Sequence, residues 1–165
     1  MKNIILLLSI LIAQMSFSEI STTRLAPHLE SVNGNFKLIY YFNSSKNFSD
    51  YERLMEELEL NDSDELNLKA SVAAKCFQES RKVSGTKFYK SIVNKHINDL
   101  DTTFTLTASE VKTFEQQRAK TVKTIDSHCT LQTTDLEKAL EAIGLTSKED
   151  KEIALDIFIH YGAMY

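Results

Sequence analysis

The chain has 165 residues with only four Gly and one Pro, and its 23 acidic against 19 basic side chains give a net charge of −4. So few turn residues argue against an all-β fold, which needs many tight turns. The acidic balance argues against nucleic acid, whose affinity comes from neutralising phosphates.

Met1-Lys2-Asn3 is a short positive start, Ile4 to Ala13 is an apolar run, and Ser16-Phe17-Ser18 puts small residues at minus three and minus one of a cut before Glu19. That three-part order is the layout of a secretory signal peptide. The run is too short for a transmembrane segment, which takes about 20 apolar residues, and no later stretch reaches that length. The expected organisation is a signal peptide over 1–18, a loose N-terminal segment over 19–26 and a single helical domain over 27–165. The expected location is secreted and extracellular, or periplasmic in a bacterium. Two cysteines in such an oxidising compartment, Cys76 and Cys129, read as one disulfide.

Residues 27–43 carry two signals. Leu29, Val32, Phe36, Ile39 and Tyr40 fit a helix that starts at Pro27, where proline is welcome. Asn33-Gly34 is a type I′ turn signal, and Phe36 to Phe42 is the most strand-like run in the chain. Helix is the favoured reading because little else in the sequence offers a strand to pair with; a β-hairpin near 28–42 is the alternative.

Further along, helix starts are legible. Ser49-Asp50-Tyr51-Glu52, Thr107-Ala108-Ser109-Glu110, Thr134-Asp135-Leu136-Glu137 and Thr146-Ser147-Lys148-Glu149 each fit the capping box, and Asp62 or Ser63 suits an N-cap after a polar turn. Apolar side chains recur at i, i+3, i+4 and i+7 behind these starts. The spacing predicts helices over 49–59, 64–83, 86–101, 108–129, 133–143 and 147–161. Arg118 is the odd member of the 108–129 apolar stripe. Gly144 stands where a helix ends, with a short link to the last helix, so 133–143 and 147–161 should form a helical hairpin. The fold expected is an all-α, compact bundle of five to seven amphipathic helices with one disulfide.

No pattern for catalysis, metal or nucleotide binding stands out, and no cofactor is implied. His96 sits in the 86–101 stripe and reads as a half-buried histidine before it reads as an acid or base. Asp126-Ser127-His128 has the members of a triad, but neighbours on a helix point about 100° apart and cannot form the chain with one another. Charge is blocked: residues 50–65 are rich in acids and 69–95 in bases, an arrangement that suits pairing between adjacent helices. Asn43, Asn47 and Asn61 each open an N-x-S sequon, a candidate for N-glycosylation in a eukaryote.

The last helix is apolar on more than one side. Ile153, Ala154, Ile157, Phe158 and Tyr161 share a face, and Leu155 and Ile159 lie off it. Such a helix is either central or docks something. The functional expectation is an exported, non-enzymatic binding protein whose partner surface includes Leu155, Ile159, Met164 and Tyr165. The alternative is a carrier of a small apolar, lipid-like ligand in a space lined by Phe77, Phe88, Tyr89, His96, Phe114 and Phe158.

Overall fold

A computed structural model describes residues 18–39, 48–84, 91–92 and 103–161. Among these, four α-helices dominate: α1 Phe48–Leu60, α2 Asp64–Ser84, α3 Ala108–Ala142 and α4 Lys148–Tyr161. A short 3-10 turn, Thr22–Leu25, precedes a small antiparallel sheet of β1 His28–Val32, β2 Asn35–Ile39 and β3 Thr103–Phe104, in that spatial order. The protein is mostly helical, but not all-α, and the described helices number fewer than five. Of the stretch expected as the 86–101 helix, Ser91 and Ile92 are described and helical; the rest lies outside the described residues.

The hairpin at 28–39 corrects the helix reading. Asn33 and Gly34 both take positive φ, 50° and 82°, as a type I′ turn requires of its two central residues. This sets a register from His28 opposite Ile39 to Val32 opposite Asn35. The missing partner strand is β3: Phe36 faces Phe104 and Lys37 faces Thr103. A two-residue strand from a distant segment leaves almost no trace in sequence periodicity, which is why the pairing was not legible. Leu38 is buried on β2, and Phe114 on α3 is fully buried.

The second correction is α3, one 35-residue helix where two were expected. Its start is as read: Thr107 accepts the Glu110 N–H and Glu110 accepts the Thr107 N–H. The break expected near 130–133 does not occur. Thr133 turns its hydroxyl back to the Cys129 carbonyl at 2.9 Å, and Thr130 does the same to Asp126. Hydroxyls that bond back along the helix are not available as caps, and Thr134, the expected cap, is buried within the helix with its hydroxyl making no hydrogen bond. Glu137, the acid of the supposed box, points elsewhere, as described below. The buried row Ile125, Cys129, Leu136 and Leu140 therefore runs on without a phase change. The helix ends at Gly144, φ 95°, where Leu145 N–H reaches the Leu140 carbonyl and Gly144 N–H reaches that of Glu141. This is the Schellman arrangement, with Leu145 buried beside Leu140.

The largest packing interface joins α2 to α3. Lys69 pairs with Asp135, and Cys76 meets Cys129 with Sγ atoms 2.08 Å apart and Cα atoms 5.8 Å apart. Positions rise on α2 as they fall on α3, so the two run antiparallel. α4 packs on α1 and α2, and one core cluster joins all four helices to Ile20 and Leu25 of the N-terminal segment. Residues 19–26, expected as a loose lead-in, are thus packed: Ile20, Thr22, Leu25 and Ala26 are all buried. Arg118 explains its odd place in the stripe by donating to the carbonyls of Thr23 and Ala26. Among the described residues no helix is long and apolar enough to cross a membrane.

Two measurements check this architecture. Gly34→Ala introduces a side chain at φ 82° with open space around it, so the cost is backbone strain alone, about 1–2 kcal/mol. It should lower the urea midpoint without changing the slope. The cystine closes 53 residues, and in the chain-entropy model its loss costs about 4 kcal/mol. Unfolding with and without reductant should differ by that order.

Candidate functional site

α4 is buried along its whole middle. Every side chain from Lys151 to Ile159 is buried, including Lys151, Glu152 and Asp156. Charges taken out of water must find partners there, because an unpaired buried charge costs several kcal/mol. The partners come from α3 and from the N-terminal segment, and together they form the most distinctive chemical feature of the molecule.

The Lys151 Nζ, 1 % exposed, lies 2.5 Å from Glu141, 3.4 Å from Glu137 and 3.8 Å from Glu19. Burial pulls this ammonium's pKa down, but the hydrogen bond to Glu141 and the charges of Glu137 and Glu141 outweigh it, so the net shift is upward. A lysine that acts as nucleophile or base needs the opposite shift. Lys151 is a fixed cation here. Glu137, almost as deeply buried, also accepts the backbone N–H of Glu19, with both carboxylate oxygens 3.2 Å from that nitrogen.

Glu152 faces the same segment one step on. It accepts the Ser21 N–H at 3.0 Å and pairs with Arg24 at 3.2 Å; Arg24 also reaches Glu149 at 2.9 Å. Thr22 donates to Asp126 on α3. Two helices and the chain leading into the hairpin are thus held by charged contacts along one seam. A groove of about 310 Å³ lies beside it, bordered by Ser18 to Thr22, Asp126, Cys129 and Lys148.

At the other end of α4, Asp156 pairs with His160 Nε2 at 3.3 Å through one oxygen, while its buried second oxygen accepts no hydrogen bond. The Tyr51 phenol is held well above its ordinary range, by burial first and then by the Asp156 and Tyr161 charges. It stays protonated at any physiological pH. An i, i+4 Asp–His pair is a common helix contact. Among the described residues no group of three His, Cys, Asp or Glu side chains is placed to hold a metal ion.

The residues singled out from sequence separate as follows. Cys76 and Cys129 come together. Leu155 and Ile159 are 0 % and 8 % exposed, so the surface expected on them is interior; Met164 and Tyr165 lie outside the described residues. Phe77 and Phe158 are packed in the main core, Phe114 is buried outside that cluster, and Phe88, Tyr89 and His96 lie outside the described residues. Asn61 is half-buried and donates its amide to the Glu57 carbonyl at 2.8 Å, a helix C-terminal role; Asn43 and Asn47 lie outside the described residues. The charge blocks meet only in part: Arg53 on acidic α1 pairs with Asp150 of α4, and Lys69 on basic α2 with Asp135.

Lys151, Glu137 and Glu152 were not found from sequence. The available signal was the last helix itself: if it is apolar on two sides, it buries its charged residues too, and these then need partners. No protein-family model matches the chain, and no curated protein or solved structure is significantly similar to it.

Lys151→Met keeps an unbranched side chain, one atom shorter, and removes the charge, leaving Glu137 buried without its cation. A loss of about 3–5 kcal/mol follows from breaking a buried pair on one side. Chemical denaturation of the variant against the parent checks it; a change below 1 kcal/mol, about the ceiling for an exposed ion pair, would show the cluster to be open to water.

Proposed function

We propose that the chain is exported, processed at its N-terminus, and acts outside the reducing cytosol as a non-enzymatic binding protein for another protein. The leader pattern and the Cys76–Cys129 pair support the compartment. Lys151 and Tyr51 are both held in their protonated forms, which withdraws these two side chains from acid–base chemistry.

The observation that carries the reading is on α2. Its inner face buries Leu66, Ala70, Ala73 and Phe77, while Leu68 and Val72, one turn apart, point outward at 62 % and 46 % exposure. Glu65, Lys75 and Glu79 are exposed around them. An apolar centre with a charged rim is the anatomy of a protein interface, and the cystine one turn beyond Val72 holds it on a rigid element.

A photo-crosslinker at Val72 of the exported protein, in its own host, should give a discrete protein adduct that the same group at exposed Lys123 does not give. Leu68→Glu should abolish that adduct while changing stability by less than about 0.5 kcal/mol, as surface substitutions do. Identical adducts from both positions would remove this surface.

A further inference from the structure

We propose that hydrolysis of the Ser18–Glu19 bond completes the charged seam: the α-ammonium released on Glu19 becomes an ion-pair partner of the buried Glu137 carboxylate. The inference rests on the export reading, since a signal peptidase is the class of enzyme that would make the cut. Water adds across the bond: its oxygen goes to the Ser18 carbonyl carbon, Ser18 departs as a carboxylate, and both hydrogens of the water end on the Glu19 nitrogen as an ammonium.

Sequence and fold point to the same atom independently. The leader places small residues at Ser16 and Ser18, so the cut falls before Glu19. The fold places the Glu19 nitrogen 3.2 Å from both oxygens of Glu137. A peptide nitrogen has one hydrogen to divide between those acceptors. An ammonium brings three hydrogens, enough to serve both oxygens at once, and a full charge that turns a bond to an ionised acceptor into an ion pair. Ile20, the next residue, is buried in the main core and fixes the approach.

The charge of the seam argues the same way. Along the seam that holds the Glu19 nitrogen stand Glu137, Glu141 and Asp126 on α3, Glu152, Lys151 and Lys148 on α4, and the Glu19 and Arg24 side chains of the segment itself. Lys151 alone serves three carboxylates, those of Glu19, Glu137 and Glu141. A second cation at Glu137 relieves that shortage where exposure is least. Processing then does more than remove a leader: it supplies the group that clamps the N-terminal segment onto the α3–α4 junction.

An α-amine paired in the folded state has its pKa raised above the ordinary value of about 7.7–8.0. The stability it contributes is complete below that ordinary value and is lost as pH rises through the raised folded value. Lys151, shifted upward from a higher starting point, does not titrate in that window.

The test uses protein exported from the full-length gene. N-terminal sequencing should read from Glu19. Competitive acetylation across pH, read by mass spectrometry of the N-terminal peptide, should place the α-amine midpoint at least one unit above the ordinary range. Glu137→Gln should return it to that range and remove the fall in thermal midpoint between about pH 8 and 10. If Glu137→Gln does not fold, the parent titration decides alone. An amine in the ordinary range on a chain that starts at Glu19 overturns this inference and leaves export standing. A product that keeps Met1 overturns both.

Discussion

Between Lys151 and Ile159 helix α4 has no side turned to water, so its charged side chains have to be neutralised inside the protein. This constraint organises the surroundings of the helix. Lys151 draws in Glu137 and Glu141 from the end of α3, and Glu152 draws in Arg24 and the Ser21 amide. The N-terminal segment, which has few apolar residues of its own, is ordered because it satisfies those groups and places Ile20 and Leu25 in the core. A hydrophobic isostere at Lys151 would have been cheaper in isolation, as buried ion pairs rarely beat good packing. What the ion pairs add is direction: an apolar plug accepts many orientations, whereas a carboxylate pair accepts few.

α3 links this seam to everything else. Its N-terminal half packs against β1 and holds the segment before the hairpin through Arg118; its C-terminal half carries the cystine and Glu137. An interruption at 130–133 would uncouple those halves. The threonines there return their hydroxyls to the helix backbone, so a stretch rich in cap-forming residues stays helical. One rigid rod then carries the sheet at one end and the charged seam at the other.

Much of the helical layer was legible because each helix advertises its own buried face. The Thr107 capping box, Ser63 as N-cap, the Gly144 stop and the pairing of Cys76 with Cys129 are decided by a few adjacent residues or by compartment chemistry. What was not legible depends on residues far apart in the chain. β3 is two residues long and pairs Phe104 with Phe36 from a distant part of the chain, and without it the turn signal at Asn33-Gly34 has no sheet to belong to. Thr134-x-x-Glu137 reads as a cap only if Glu137 is free to turn back, and Glu137 is occupied by Glu19 and Lys151. The same contact conceals the candidate site: a helix apolar on two sides buries Lys151 as well, but its spacing does not name the partners, which lie on α3 and in the N-terminal segment.

On the proposed binding role, that burial also decides where recognition can take place. Leu155 and Ile159 are spent on the core, and Phe77 and Phe158 are packed among its side chains, so a ligand or partner reaching any of them would have to displace packing worth about 1.5–3 kcal/mol per large side chain. A site that needs no such opening lies outside this core. Of the exposed apolar residues, Leu68 and Val72 are adjacent on one helix, and that helix is fixed by a cystine to the rod that carries the rest of the fold. A surface held that firmly loses little freedom when a partner lands on it, and the entropy not lost on association appears as affinity.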